Sequence, residues 1–314
     1  VTGQGSDVAA VFNTATSDPM VNPLAAIDVG MAPRGVCFSP DGQLAYVLNS
    51  HSFTISEISM APFLNMETRT QEVVSPRSDD DHGELLLMQP EPLHKPGNAS
   101  LVGAELPVFT RPIHVSHQRE SAYGEDPASP AVRRGRRVFT FARNPRMSHQ
   151  GQMACATCHI EGTEDKLVWV TDGPRQTMSL AGRVANTGPF NWLGTKGALK
   201  TNMEQTVTRM GGDGLNNQEL EDLEQFLLHG LEPPVNPFED TLDPVVVQQG
   251  RELFEDKCST CHIGDAMTDG RAWDVGTAHD LELITREELI AQGEDLPPPG
   301  TFNTPSLLPR PPHG

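Results

Sequence analysis

The sequence predicts a mixed fold, with β structure toward the N-terminal end followed by two mainly helical units. Three observations carry this prediction. Short strand-like runs separated by turn signals fill residues 1 to about 62, two Cys-x-x-Cys-His pentapeptides stand later in the chain, and a similar amphipathic helical stretch precedes each pentapeptide.

The composition is that of a globular chain. Of 314 residues, 37% are apolar and 21% charged, with 42 Asp and Glu against 23 Lys and Arg for a formal net charge of −19. So acidic a chain argues against nucleic acid and anionic membranes as partners, and no apolar run is long enough for a transmembrane span. Aromatic residues make up only 5%, while Gly and Pro number 28 and 27. Large side chains are scarce for this length, so either the chain is loop-rich or a non-protein group fills part of the interior.

The strands come first. Ala26–Gly30, Arg34–Phe38, Leu44–Leu48 and Phe53–Ile58 are strand-like, and Ser39-Pro40-Asp41-Gly42 is a tight-turn sequence between two of them. Cys37 falls within a strand-like run and is expected to be an inert buried thiol. Residues 63 to 128 contain the acidic run Asp79-Asp80-Asp81, the apolar Leu85-Leu86-Leu87 and a strand-like end at Pro107-Val108-Phe109. The acidic run reads as a solvated loop.

Helical texture starts at Pro130. Arg133-Arg134-Gly135-Arg136-Arg137-Val138-Phe139 and Gln248-Gln249-Gly250-Arg251-Glu252-Leu253-Phe254 form an internal repeat, each an amphipathic opening helix. The basic cluster at 133 to 137 reads as a solvated helix face. A further helix over Asn217–Leu228 places Leu220, Leu223, Phe226 and Leu227 on one side. Pro234-Val235-Asn236-Pro237 reads as a linker.

The repeated helices lead to Cys155-Ala-Thr-Cys158-His159 and Cys258-Ser-Thr-Cys261-His262. In C-x-x-C-H, two thiols on one helical turn can each form a thioether to a haem vinyl group, and the adjacent histidine can ligate the iron. Zinc ribbons bring two C-x-x-C knuckles about 15–20 residues apart, whereas Cys158 and Cys258 are far more widely spaced. A thioredoxin-like pair would leave both histidines unexplained. The chemistry expected is two covalently bound haem c groups, with His159 and His262 as iron ligands.

Two resemblances sharpen this. Pro33-Arg34-Gly35-Val36, Phe38-Ser39-Pro40-Asp41-Gly42 and Tyr46-Val47-Leu48-Asn49 resemble one blade of a YVTN-type β-propeller. The order Gly-Arg-x-x-Phe, CxxCH, Trp192, Pro-x-Asn-Pro, Gly-Arg-x-Leu-Phe, CxxCH, Thr268-Asp269, Val275-Gly276-Thr277 and Thr304-Pro305-Ser306-Leu307 resembles the bacterial di-haem cytochrome c peroxidase family. That family includes the type that matures methylamine dehydrogenase. The likeness is strongest to its propeller-fused subgroup, through Thr187–Trp192 and Met210–Leu215. The resemblance implies a partial β-propeller segment followed by two mainly α cytochrome c-like haem domains. Expected domains are an incomplete propeller segment with linker over 1–128, a first haem domain over 129–235 and a second, C-terminally incomplete, over 236–314.

The resemblance also implies roles for residues. Trp192 matches a tryptophan that passes electrons between the haems, from the second (His262) to an oxidant at the first (His159). The family's distal histidine, sixteen residues beyond the first motif's histidine, is replaced by Arg175. The first iron is then either open or ligated by Met178, Met203 or Met210. The family's acid-base Glu and its Gln align with Arg209 and Asn202, with Glu204 and Gln205 one turn away. A guanidinium cannot serve as a base at neutral pH, though it can stabilise departing oxygen. Glu204 and Arg209 are therefore the catalytic candidates beside Trp192. No tyrosine follows Tyr123, so the second haem's far ligand is expected from other sequence or another polypeptide, with His279 and His313 as alternatives.

The function expected is that of a di-haem, peroxidase-like oxidoreductase, or alternatively an electron-transfer or partner-binding protein without peroxide turnover. The expected partners are a small cytochrome, a cupredoxin or a protein substrate, with another chain or segment completing the propeller and the second haem site. A Ca²⁺ between the haem domains is a family feature. Thioether attachment places the mature protein in the periplasm or outside the cell.

Overall fold

The computed structural model describes residues 1–15, 23–64, 118–171, 173–233, 241–291, 293 and 295–308. They form two compact units, Val1–Gly3 with Asp7–Gly124, and Gln4–Ser6 with Glu125–Gly314. The acidic run at 79–81, the leucines at 85–87, the segment 107–109, the linker 234–237 and His313 lie outside the described residues.

The first unit is antiparallel β structure. Strands β1 (Thr2–Gly3), β2 (Val8–Val11) and β3 (Ala25–Asp28) form one sheet in that order. A second sheet runs β4 (Pro33–Phe38), β5 (Leu44–Asn49), β6 (Thr54–Ser59) and β7 (Gln118–Ala122), and the one-turn helix α1 (Ala61–Leu64) comes after β6 in the chain. Period-2 alternation on β5 buries Ala45, Val47 and Asn49. The core adds Ala9, Ala25, Ile27, Ile58 and Met60. The turn between β4 and β5 closes where the Gly42 N–H donates to the Ser39 carbonyl at 2.8 Å, with Gly42 at φ 69°, a backbone region open to glycine.

The second unit opens with α2 (Pro130–Thr140), whose first turn has proline and the Ser129 hydroxyl accepting from the Val132 N–H. It packs on α5 (Asn217–His229), which begins with a reciprocal Asn216–Glu219 capping box. Gly135 permits the close approach, because a Cβ there would fall on the Asp222 carbonyl oxygen. Arg134 grips the Asp222 carboxylate in a two-pronged pair at 2.7 and 2.8 Å. Phe139, Val184, Met203, Leu220, Leu223, Phe226 and Leu227 fill the core. The remaining helices are α3 (Cys155–Cys158), α4 (Leu199–Arg209), α6 (Pro244–Lys257) and α7 (Asp280–Ala291). Two antiparallel ribbons, β8 (Val168–Val170) with β9 (Pro174–Gln176) and β10 (Ala272–Asp274) with β11 (Thr301–Asn303), lie between them.

The expected partial β-propeller followed by two mainly α cytochrome c-like haem domains is corrected by this architecture. Among the described residues the sheets are four small antiparallel ones, none closed and none arranged as a propeller. Strand alternation and turn sequences specify hairpins locally, whereas closure depends on pairing between distant strands. Nor does the second unit separate into two helical domains. Helices alternate with ribbons and irregular chain, and α6 buries no side chain among the described residues. A Cβ on Gly250, the counterpart of Gly135 in the repeat, would meet nothing. Cys37 is also corrected: it is exposed, with Val36 and Phe38, because β4 is an edge strand.

The two glycines should respond oppositely to alanine. Gly135→Ala should cost about 1–3 kcal/mol through overpacking, whereas Gly250→Ala should stabilise by about 0.5–1 kcal/mol through helix propensity. Denaturant unfolding of the two variants measures both.

Candidate functional site

Both Cys-x-x-Cys-His motifs form a single helical turn closed by the histidine. The His159 N–H donates to the Cys155 carbonyl at 2.8 Å, and the His262 N–H to the Cys258 carbonyl at 3.1 Å. None of the four motif cysteines is paired in a disulfide. Cys155 is packed against the α2–α5 core, and burial pushes its thiol up to about 12. Burial also raises the Cys158 thiol, with the nearby Asp165 charge adding to it. Both environments favour an uncharged sulfur over a thiolate.

The two motif histidines differ in their surroundings. Burial lowers the pKa of His159, outweighing the Met178 and Thr163 backbone groups that favour its charged form. Its Nδ1 is buried without a hydrogen-bond partner. In the second motif, His262 Nδ1 lies 3.1 Å from the Met267 carbonyl, a contact in which Nδ1 donates, so that in a neutral ring the lone pair is on Nε2. Met267 reaches this position with φ at 50°.

Beyond their histidines, the two motifs lead into the same construction. Asp165 and Asp269 stand shortly after His159 and His262. Asp165 accepts the Leu167 N–H and the Trp169 indole N–H, both at 2.9 Å. Asp269 accepts the Arg271 N–H at 3.0 Å and the Trp273 indole N–H at 2.9 Å. Trp169 and Trp273 then lie in β8 and β10, where they pair in register with Arg175 of β9 and Phe302 of β11. The returning strands lead into Thr177-Met178-Ser179-Leu180 and Thr304-Pro305-Ser306-Leu307. There the Thr177 N–H donates to the Leu167 carbonyl at 3.4 Å, and the Thr304 N–H to the Arg271 carbonyl at 2.9 Å. Burial works against ionisation of both aspartates. The hydrogen bonds outweigh it and hold both below the ordinary carboxylate range, with Thr177 and Thr304 contributing.

Trp192 ties the two copies together. Its indole N–H donates to the Gln176 carbonyl of β9 at 2.8 Å, and its own carbonyl accepts the Asn303 N–H of β11 at 2.8 Å. Its ring meets Phe302 edge-on, with centroids 6.0 Å apart. Arg175 also stacks on Phe302, 4.5 Å from the ring centroid, and pairs with Glu282 at 3.1 Å.

The remaining candidates are placed separately. Glu204 and Arg209 are exposed on α4, whereas Met203 and Val207 of the same helix are buried. Met203 belongs to the apolar core. Met210 caps α4, and its carbonyl accepts the His149 N–H at 2.9 Å. His279 caps the first turn of α7, its Nδ1 accepting the Leu281 N–H at 3.1 Å. Among the described residues, no three or more His, Cys, Asp or Glu side chains cluster to hold a metal ion by themselves. Also among them, no helix is long and apolar enough to cross a membrane.

No protein-family model and no curated protein matches the chain. Among solved structures, a chain of hydrazine synthase from Kuenenia stuttgartiensis under xenon pressure is similar to it. That chain is 21% identical, and the likeness covers 58% of this chain and 72% of that one with a TM-score of 0.41. Function is therefore read from the site's own residues.

The two aspartate–tryptophan clamps are functional-site features that motif spacing alone does not reveal. Their signal is present as an Asp and then a Trp at nearly equal distances from each histidine, obscured by a one-residue difference in spacing.

Asp269→Ala should lose the clamp's hydrogen bonds at a cost of about 1–3 kcal/mol, read by thermal unfolding. Because both carboxylates have lowered folded-state pKa values, their stabilisation is complete above the ordinary aspartate range and is lost as pH falls through the folded values. Tryptophan fluorescence should therefore hold steady through that ordinary range and change only at lower pH.

Proposed function

We propose that the chain is a di-haem c-type oxidoreductase of peroxidase-like type. Cys155 and Cys158 would take one haem and Cys258 and Cys261 the other through thioethers, with His159 and His262 ligating iron. The carrying observation is the contact of His262 Nδ1 with the Met267 carbonyl, in which Nδ1 donates, so that the neutral ring would offer Nε2 as a ligand nitrogen. Bound at these positions, the haems supply one-electron redox chemistry. The chain's own residues orient the His262 imidazole and pack against Cys155.

Trp192 is proposed to pass electrons from the second centre to the first, since its backbone and ring touch the returning strand of each copy. At the position where the peroxidases carry a distal histidine, Arg175 is committed to Glu282 and Phe302. The first centre is therefore proposed to be open to peroxide. The electron donor would be a small cytochrome or cupredoxin outside the cytoplasm, where thioether attachment takes place.

A second reading, electron transfer without peroxide turnover, is favoured by one observation. Glu204, the candidate for moving a proton, and Arg209, the candidate for stabilising departing oxygen, are exposed on α4. Low-temperature EPR with one equivalent of peroxide separates the two. A high-spin ferric signal that peroxide removes supports the open centre, with Trp192→Phe slowing re-reduction. Two low-spin signals unmoved by peroxide support electron transfer alone.

A further inference from the structure

The two opening helices repeat each other in sequence, yet their surroundings differ. In α2, Val132, Gly135 and Phe139 share a face that is turned to α5. Gly135 sits against the Asp222 carbonyl, and the Phe139 ring meets Phe226 with centroids 5.2 Å apart. In α6 the matching face runs through Val246, Val247, Gly250, Leu253 and Phe254. Val246, Val247 and Leu253 are 61%, 41% and 62% exposed, and Gly250 is open. An apolar stripe of this kind is costly in water until something covers it. A haem on Cys258 would not account for it, since in α2 this face takes a helix. Val246 and Val247 also stand eleven or more residues before Cys258, about 16 Å or more along a helix.

The stripe is complementary to itself. Asp243 and Lys257 stand seven residues either side of Gly250, on the glycine's face, and both are exposed. Asp243 is held there as the helix cap, its carboxylate accepting the Val245 N–H at 2.8 Å. Lys257 meets its neighbour Asp256 at 2.8 Å in a solvent-exposed pair, which contributes little. Turned end for end about Gly250, a second α6 presents Lys257 to Asp243, Phe254 to Val246 and Leu253 to Val247. Parallel packing would instead set like charges against each other at both ends. Gly250 has no Cβ to hold a second backbone away. An acidic helix like α5 is less well matched, because the counterpart of Arg134, which grips Asp222, is Gln249.

We infer that α6 is a self-association surface, through which two copies of the chain pair antiparallel about a two-fold axis at Gly250. Each Asp243 then meets Lys257 of the partner subunit, and each apolar stripe covers the other. The contact is a single helix pair, at the small end of specific interfaces, so the dimer is reversible. The inference rests on α6 alone and does not depend on the haem proposal.

The test is analytical ultracentrifugation of the full chain from nanomolar to high micromolar concentration. A monomer–dimer equilibrium is expected. Gly250→Lys should remove the dimer across this range by setting two like charges together on the axis. The dilute monomer of that variant should unfold no more easily than the parent, because a Cβ at 250 meets nothing within one chain and lysine favours helix over glycine. Lys257→Glu, a change at an exposed position, should weaken the dimer about tenfold by turning two attractions into two repulsions. A chain that is monomeric throughout, or a dimer that either variant leaves as tight as the parent's, overturns the inference. If Gly250→Lys does not fold, the Lys257→Glu comparison still decides. Haem content, measured separately on the same sample, reports the haem proposal independently.

Discussion

The organisation of the second unit depends on a carboxylate used twice. Asp165 and Asp269 each bind a backbone N–H two residues on and an indole N–H four residues on. An Asx-type turn with its own tryptophan fixes where the chain leaves the Cys-x-x-Cys-His turn and enters a strand. From that fixed exit the ribbon pairs in one register, and the returning strand brings a threonine back beside the same carboxylate. Each motif thus sits in a closed loop whose geometry comes from one acid.

The two loops meet through residues at matching register positions. Arg175 lies opposite Trp169, Phe302 lies opposite Trp273, and Arg175 stacks on Phe302. Trp192 then crosses between β9 and β11, using its indole on one and its backbone on the other. The copies differ in what joins their strands. Three residues separate β8 from β9, whereas α7 intervenes between β10 and β11 and delivers Glu282 to Arg175. Duplication supplies the scaffold, and the insertion supplies the buried charge.

Much of this was legible in the residues. The alternation of Ala45, Val47 and Asn49, the turn at Ser39–Gly42 and the stripe of Leu220, Leu223, Phe226 and Leu227 each come from local periodicity. The two motifs were legible from their spacing, and their opening helices from periodicity. Less was legible where contacts are distant. Cys37 has the same strand context as buried residues and is exposed because β4 lies at an edge. Gly135 and Gly250 look alike in sequence, yet only Gly135 has a helix packed against it among the described residues. One blade-like stretch suggests a propeller, but blade-like sequence carries no information on closure. Arg175 stands out in sequence as a missing histidine, while its ion-pair partner Glu282 lies more than a hundred residues away on α7.

The central claim is that both Cys-x-x-Cys-His turns hold covalent haem. Its most direct measurement is peptide mass spectrometry of the protein produced in a host that attaches haem c. The account predicts one haem on the peptide holding Cys155 and Cys158 and one on the peptide holding Cys258 and Cys261. Four unmodified, alkylatable thiols in a folded, colourless protein would contradict it.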